Sequence, residues 1–184
     1  MKIIKRILTT LALLIVVLAV VGFLLPSHAH VERSIVINAP AEAFFPLIAN
    51  LKENSQWSPW HARDPDMKQT FTGEDGKVGS KVAWESQDKH VGTGTQEITL
   101  LVPNERIETH LDFGDQGAAD AYFQFDETDG TCKVTWGFDS ELGNNPVGRY
   151  FGLMFDGMIG PMYDEGLGKI KELAEAGIEP NGVE

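Results

Sequence analysis

One cysteine, Cys132, is all that the 184-residue chain carries, so neither an intrachain disulfide nor a cysteine-based zinc site can form. Basic residues are scarce too. Lys and Arg number 15 against 27 Asp and Glu, for a net charge of −12. Lys2, Lys5 and Arg6 precede every acidic residue, so from Glu32 onward 12 basic side chains face 27 acidic ones. Such a surface repels phosphate backbones, and no basic stripe interleaved with aromatics relieves it, which excludes nucleic acid as a partner. His61, His90 and His110 fall on separate segments without HxxxH or HxH spacing. They read as solvated side chains, and no metal is expected. Ser140 and the other serines lack a nucleophile-elbow context, so hydrolase chemistry has no support. Gly92-x-Gly94 lies within a strand-like run with no helix after it, which reads as a bulge and not as a phosphate loop. Nothing in the chain asks for a cofactor, and nothing names a protein partner.

Charge is missing altogether from Ile7 to Leu25, 19 residues closed by Pro26 and containing an all-aliphatic stretch from Leu11 to Val21. As a helix rising 1.5 Å per residue this run is about 28 Å long, close to the hydrocarbon thickness of a bilayer. Residues 1–29 are therefore expected to be a basic cytoplasmic flank and a transmembrane signal anchor. The basic flank keeps the N-terminus cytoplasmic and places the remainder on the periplasmic or extracytoplasmic side. The competing reading is a signal peptide cleaved after Ala29, given the small residues of Ser27-His28-Ala29, which would secrete the domain to the periplasm. Lipoprotein processing is excluded, because no cysteine follows the run.

Hydrophobic residues make up 42% of the chain, enough for one globular domain over 30–176, with a polar tail over 177–184. Val31 to Ile37 has the β-branched content of a strand. Ala41 to Asn50 reads as a helix presenting Phe44, Leu47, Ile48 and Leu51, bent or shortened by Pro46. A second short helix or turn covers Leu51 to Trp57, and Ser58-Pro59-Trp60 ends it. Six strand-like runs follow: Met67–Thr72, Ser80–Glu85, Val91–Val102, Arg106–Phe113, Ala118–Glu127 and Thr131–Ser140. Short breakers such as Pro103-Asn104 and Asp129-Gly130 pair neighbouring runs antiparallel. From Pro146 to Ala176 the period becomes helical. Phe151, Phe155, Ile159, Met162, Tyr163, Leu167, Ile170 and Leu173 share a face, with a kink expected at Gly160-Pro161.

One sheet of seven strands has a face to hide, and one long amphipathic helix is the only element large enough to lie across it. The expected architecture is an α+β helix-grip fold: a curved seven-stranded antiparallel sheet wrapped on a long C-terminal helix, with two short helices after the first strand and one N-terminal transmembrane helix ahead of it. Several stretches carry a family resemblance: RSIVINAPAEAFFPLI, the WSPW of Trp57 to Trp60, the strand pair around Gly92-Thr93-Gly94, and Pro103 to Ile107. Gly130-Thr131 before Val134-Thr135-Trp136 and the closing YDEGLGKIKEL belong with them. Over about residues 31 to 176 the chain resembles the START/Bet v 1-like (SRPBCC) superfamily, in its polyketide cyclase/dehydrase and lipid transport branch. That resemblance implies a shared pocket between helix and sheet rather than a shared reaction.

Alternation assigns the concave face. Ala121, Phe123 and Phe125 point inward from one strand and Cys132, Val134, Trp136 and Phe138 from the next. Val82 and Trp84, then Gln96, Ile98 and Leu100, then Ile107, Thr109, Leu111 and Phe113 extend the set. Arg106, Glu108, His110 and Asp112 fall outside. Among the inward residues only Trp84, Gln96, Thr109 and Trp136 hydrogen-bond strongly, and none titrates near neutral pH. General acid–base catalysis needs such a group, so no catalytic residue is assigned. The expected partner is a hydrophobic small molecule or lipid, bound by Trp60, Trp84, Gln96, Thr109, Leu111, Phe123, Phe125 and Trp136 from the sheet side. Met154, Met158 and Met162, recurring every four residues, would meet it from the helix. The plainer alternatives are a solid core behind these aromatics, Trp57 and Trp60 packed on the sheet edge, and a methionine stripe that is ordinary core. Two rival functions go with them: a cyclase or dehydratase, which needs an ionisable group in the pocket, and a non-catalytic envelope interaction module with a filled interior.

Overall fold

The computed structural model describes residues 2–177, so of the polar tail expected over 177–184 all but Gly177 lies outside the described residues. Helix α1 (Lys2–Leu24) leads into β1 (His28–Ile37). A 3-10 turn (Ala41–Ala43), α2 (Phe45–Ala49), a second 3-10 segment (Leu51–Gln56) and α3 (Pro59–Arg63) then cross from one edge of the sheet to the other. Strands β2 (Lys68–Thr72), β3 (Lys81–Glu85), β4 (Thr93–Val102), β5 (Arg106–Asp112), β6 (Ala118–Thr128) and β7 (Thr131–Glu141) form the meander, followed by α4 (Pro146–Gly152) and α5 (Phe155–Ala176). The sheet order is β1-β7-β6-β5-β4-β3-β2, every pair antiparallel. The helix-grip architecture read from the sequence is thus the one observed.

Local chemistry explains the elements. Thr128 pairs with Thr131 across Asp129 (φ 51°) and Gly130 (φ 77°), the two positive φ angles that a tight hairpin twisted like its strands requires. Pro46 sits in the first turn of α2, where its missing N–H costs nothing; it opens that helix instead of bending a longer one. Pro59 does the same for α3, so Ser58-Pro59-Trp60 starts a helix where the sequence reading ended one. The C-terminal helix is interrupted at Leu153-Met154 and runs unbroken through Pro161, so the expected break falls about two turns earlier.

Two departures from alternation shape the concave face. The β4–β5 register shifts between Ile98 and Leu100, so the bulge lies there and not at Gly92-x-Gly94. The extra residue turns Leu100 outward and lets Leu101 pack on the core. On β1, Arg33 takes an inward position between Val31 and Ile35, over Gly160 of α5, and pairs with Asp156 at 2.8 Å and Asp164 at 3.4 Å. Its hydrogen bond to Asp156 raises the guanidinium pKa and lowers that of the carboxyl. Phe151, assigned to the buried helix face, is 58% exposed.

The core is continuous but unequally filled. Ile37, Phe44, Phe45, Ile48, Phe125, Val134 and Ile170 close one end between α2, α5 and the sheet, all nearly inaccessible. Cys132 lies among them, and burial pushes its thiol up to about 11, well away from the thiolate form.

Candidate functional site

At the other end the sheet and α5 enclose a cavity of about 390 Å³, within the range of small-molecule sites, about 300–1,000 Å³. Its aromatic wall is built on Trp136. Tyr163 of α5 stacks on one side of that indole at 3.8 Å and 9°, and Phe123 lies against it at 4.7 Å and 24°. Trp57 and Trp60 meet it edge-on at 5.4 and 5.9 Å. Helix and sheet approach this closely because position 166 is glycine: a Cβ there would stand 2.8 Å from the Trp136 ring. Farther out, Trp84 meets Phe113 edge-on at 6.0 Å and Phe138 meets Phe155 at 5.9 Å. No side chain fills the space between these pairs.

Of the residues singled out from the sequence, Trp60, Trp84, Gln96, Leu111, Trp136 and Met158 line the cavity. Thr109 is buried just behind it and accepts a 3.3 Å hydrogen bond from Gln96 Nε2. Phe123 and Phe125 are buried in the packed core; Phe123 supports Trp136 from behind. Met154 is 55% exposed at the start of α5, and Met162 is half-buried; neither lines the cavity. Trp57 is packed, its indole donating to the Leu47 carbonyl at 2.9 Å, while Trp60 both packs on Tyr163 and reaches the cavity. The indole of Trp84 donates to the Val91 carbonyl at 3.3 Å, so it offers a ligand its ring and not its N–H.

Sequence reasoning missed a polar rim. Asn54, Ser58 and His61, from the 3-10 segment and α3, face Gln69 and Gln96 of the sheet and Gln116 of the β5–β6 loop around the same space. Asn54 Oδ1 and His61 Nδ1 are inaccessible to water and have no hydrogen-bond partner among the described residues, a state that costs free energy until something pairs with them. The ring of His61 is therefore turned away from solvent at Nδ1, and the lining carries an imidazole that strand alternation did not show. Among the described residues the lining holds no Asp, Glu, Lys or Arg. The phenol of Tyr163 also contributes, its pKa raised chiefly by burial, so it is a neutral donor over the working pH range.

The convex face is the opposite in character. Arg106 bonds Glu108 at 2.6 Å and Gln124 at 2.9 Å and lies 4.6 Å over the Tyr122 ring. His110 pairs with Asp120 at 2.8 Å, and Tyr122 donates to Glu32 at 2.7 Å. Burial and that bond to Glu32 push the Tyr122 phenol up to about 12. These charged groups satisfy one another on the outside and do not reach the cavity. Among the described residues no three His, Cys, Asp or Glu side chains gather as a metal site.

A family model described as polyketide cyclase / dehydrase and lipid transport matches residues 28–175. Solved structures share the fold. The Zhui aromatase/cyclase from Streptomyces sp. R1128 superposes with a TM-score of 0.63 at 16% identity, over 85% of this chain and 99% of its own. A protein of unknown function from Staphylococcus aureus gives 0.61 at 13% identity, over 81% and 94%. A norcoclaurine synthase point mutant from Thalictrum flavum, in complex with a transition-state analogue, gives 0.60 at 15% identity, over 81% and 95%. At these identities the likeness is one of fold. No curated protein sequence matches the chain significantly. From Ala29 of the first strand through Ala174 of the last helix, the buried residues, the sheet order and the matched model describe one thing: the chain belongs to the polyketide cyclase/dehydrase and lipid transport family.

Proposed function

We propose that the domain is held at a membrane by α1 and binds a hydrophobic small molecule or lipid in the cavity between α5 and the sheet. One observation carries the reading: the cavity wall is aromatic and aliphatic, with amide, hydroxyl and imidazole groups at its rim and, among the described residues, no carboxylate, ammonium or guanidinium group. Such a wall holds a ligand by burial, at about 25 cal/mol per Å² of apolar surface, and the rim orients it. A hydroxyl on an apolar body would donate to Asn54 Oδ1, and a hydroxyl or carbonyl oxygen would accept from His61 Nδ1–H in the tautomer that carries the proton there.

Gly22 is the only buried residue of α1, as expected of a helix whose solvent is lipid. One feature favours an anchor over a cleaved leader: cleavage after Ala29 would cut inside β1, severing the pairs His28–Glu141 and Ala29–Ser140.

Native mass spectrometry of the full chain, extracted in mild detergent from the cells that make it, tests the proposal. A co-purifying apolar mass is expected, and it should be lost when Ala121, a small lining residue, is enlarged by Ala121→Leu. A chain that carries no such mass, and takes up no apolar dye, would defeat the reading.

The cyclase or dehydratase alternative draws on a single observation, a His61 imidazole and a neutral Tyr163 phenol in one lining. It requires that a polyketide-like probe be converted by the native chain and bound but left unconverted by His61→Gln.

A further inference from the structure

The junction of α4 and α5 leaves an apolar face without a protein partner. Val147, Phe151, Leu153, Met154 and Met158 are each more than half exposed, at 60%, 58%, 61%, 55% and 61%. Exposure of five large apolar side chains on about three turns of helix marks an interaction surface. The same segment is fastened to α1. Arg149 is buried although it carries a charge, and its guanidinium donates to the carbonyls of Phe23 at 2.6 Å, Leu25 at 3.0 Å and Gly143 at 3.0 Å, and to Asn144 Oδ1 at 3.4 Å. It therefore occupies carbonyls that α1 leaves open at its C-terminal end, where the helix dipole favours a cation. Tyr150 Oη donates to the Leu18 carbonyl at 2.9 Å. Contact is close along the seam, since a Cβ at Gly22 would come within 2.7 Å of Pro146.

This fastening sets a depth. Leu18 precedes Leu25, the last residue of the uncharged run, by seven positions, which is about 10 Å along a helix. If α1 spans the bilayer, Tyr150 is drawn about that far below the edge of the hydrocarbon layer, the depth of about 5–10 Å at which amphipathic helices lie in an interface. A phenol hydrogen-bonded at one end and apolar at the other suits that level.

We propose that α4 and the first turn of α5 lie in the leaflet where α1 ends, with Phe151, Leu153 and Met154 among the acyl chains. The occupant of the apolar face is lipid. Met158 belongs both to this face and to the cavity lining, and Phe155, one turn earlier, lines the cavity too, so the cavity opens onto the bilayer and its ligand arrives from there. The proposal rests on the membrane-anchor reading above. Its driving force is apolar: α4 has no basic residue other than the buried Arg149, and the acidic domain offers anionic lipid nothing. The tether supplies the high local concentration that an untethered patch of this size would lack.

Photocrosslinking of the full chain in phosphatidylcholine vesicles tests it. The photoreactive residue p-benzoylphenylalanine is installed singly in place of Phe151, Leu153, Leu14 of α1, or Val78, which is 60% exposed in the β2–β3 connection. Lipid adducts, read by mass spectrometry, are expected at 14, 151 and 153 and not at 78, with yields unchanged from low to high salt. Gly22→Leu, which forces α1 from Pro146, should lower the adducts at 151 and 153 several-fold and spare that at 14. Adducts at 14 without any at 151 or 153 would overturn the docking and leave the anchor standing. An absence of adducts at 14 would overturn the anchor and the docking with it. Equal yields at 78 and 151 would overturn the assigned face, and an unchanged yield in Gly22→Leu would overturn the role of the α1–α4 seam in holding it.

Discussion

The two ends of the space between sheet and C-terminal helix are made of the same kinds of side chain, yet one is solid and the other hollow. At the solid end Phe125 of β6 meets Phe44 and Phe45 at 6.0 and 5.1 Å, because α2 descends onto the sheet beside α5. At the hollow end Trp84, Phe113 and Phe138 are no smaller, but α3 and the N-terminal part of α5, which carries Phe155, lie over them without filling the space between. Whether an aromatic face becomes core or cavity is therefore set by how closely the elements laid over it approach, not by its own composition.

The sharpest way to break this comparison is to delete one ring from each end. Phe125→Ala should destabilise the domain by about 3–5 kcal/mol, the cost of an unrelaxed hole in packed core. Phe113→Ala, beside space already open, should cost well under half as much. Equal losses in denaturant unfolding would mean that the hollow end is packed in solution. Adding atoms gives the mirror test. Ala41→Leu at the solid end should cost about 1–3 kcal/mol by overpacking, whereas Ala121→Leu should leave the unfolding midpoint nearly unchanged and lower apolar-dye affinity at least about tenfold, as steric exclusion from a shared volume requires.

A smaller effect sharpens the picture of the rim. His61→Leu removes a buried, unpartnered nitrogen, so the ligand-free domain should gain about 1 kcal/mol, while affinity falls for ligands bearing a hydroxyl or carbonyl and holds for pure hydrocarbons. Thermal unfolding and parallel titrations would read both; a loss of stability would show that His61 has a partner in solution.

The smallest effect concerns the seam that closes the solid end. Glu175 accepts from Lys171 at 2.6 Å and from the Asn38 backbone at 2.8 Å, and Lys171 also reaches the Val36 carbonyl at 2.7 Å, which ties the end of β1 to α5. The Lys171 bond, then that of Asn38, holds the Glu175 carboxyl below the usual glutamate range. A lowered folded value means that this contribution is complete above the unfolded pKa and is lost as pH falls through the folded one. Glu175→Gln should therefore narrow the difference between thermal midpoints at neutral and acid pH. An unchanged pH profile would remove Glu175 from the seam.

Strand order and hairpin pairing were legible because turn residues and alternation are local signals. Reading went astray where a single residue broke the local rule for a long-range reason. The extra residue at Thr99 exchanges Leu100 for Leu101 on the inner face. Arg33 faces inward among β-branched neighbours because two aspartates of a helix more than a hundred residues away receive it. His61 and Asn54 lie on short irregular helices that have no periodicity to read. Ser58 followed by Pro59, a helix-opening pair, was the one available sign that His61 belonged to a helix over the sheet. The methionine stripe misled because a spacing of four exceeds the 3.6-residue turn, so on one continuous α5 the stripe drifts around the helix and only Met158 reaches the cavity.

By itself the sequence determined that there would be an uncharged N-terminal helix, an antiparallel meander and an amphipathic helix to cover it, since apolar period and turn chemistry act between neighbours along the chain. Only the tertiary structure decided that the cover would be incomplete, that an imidazole and an amide would stand unpaired at the edge of the gap, and that Arg149 would bind the end of α1. Those outcomes depend on which distant surfaces meet and how much volume they leave, a quantity no stretch of sequence carries alone.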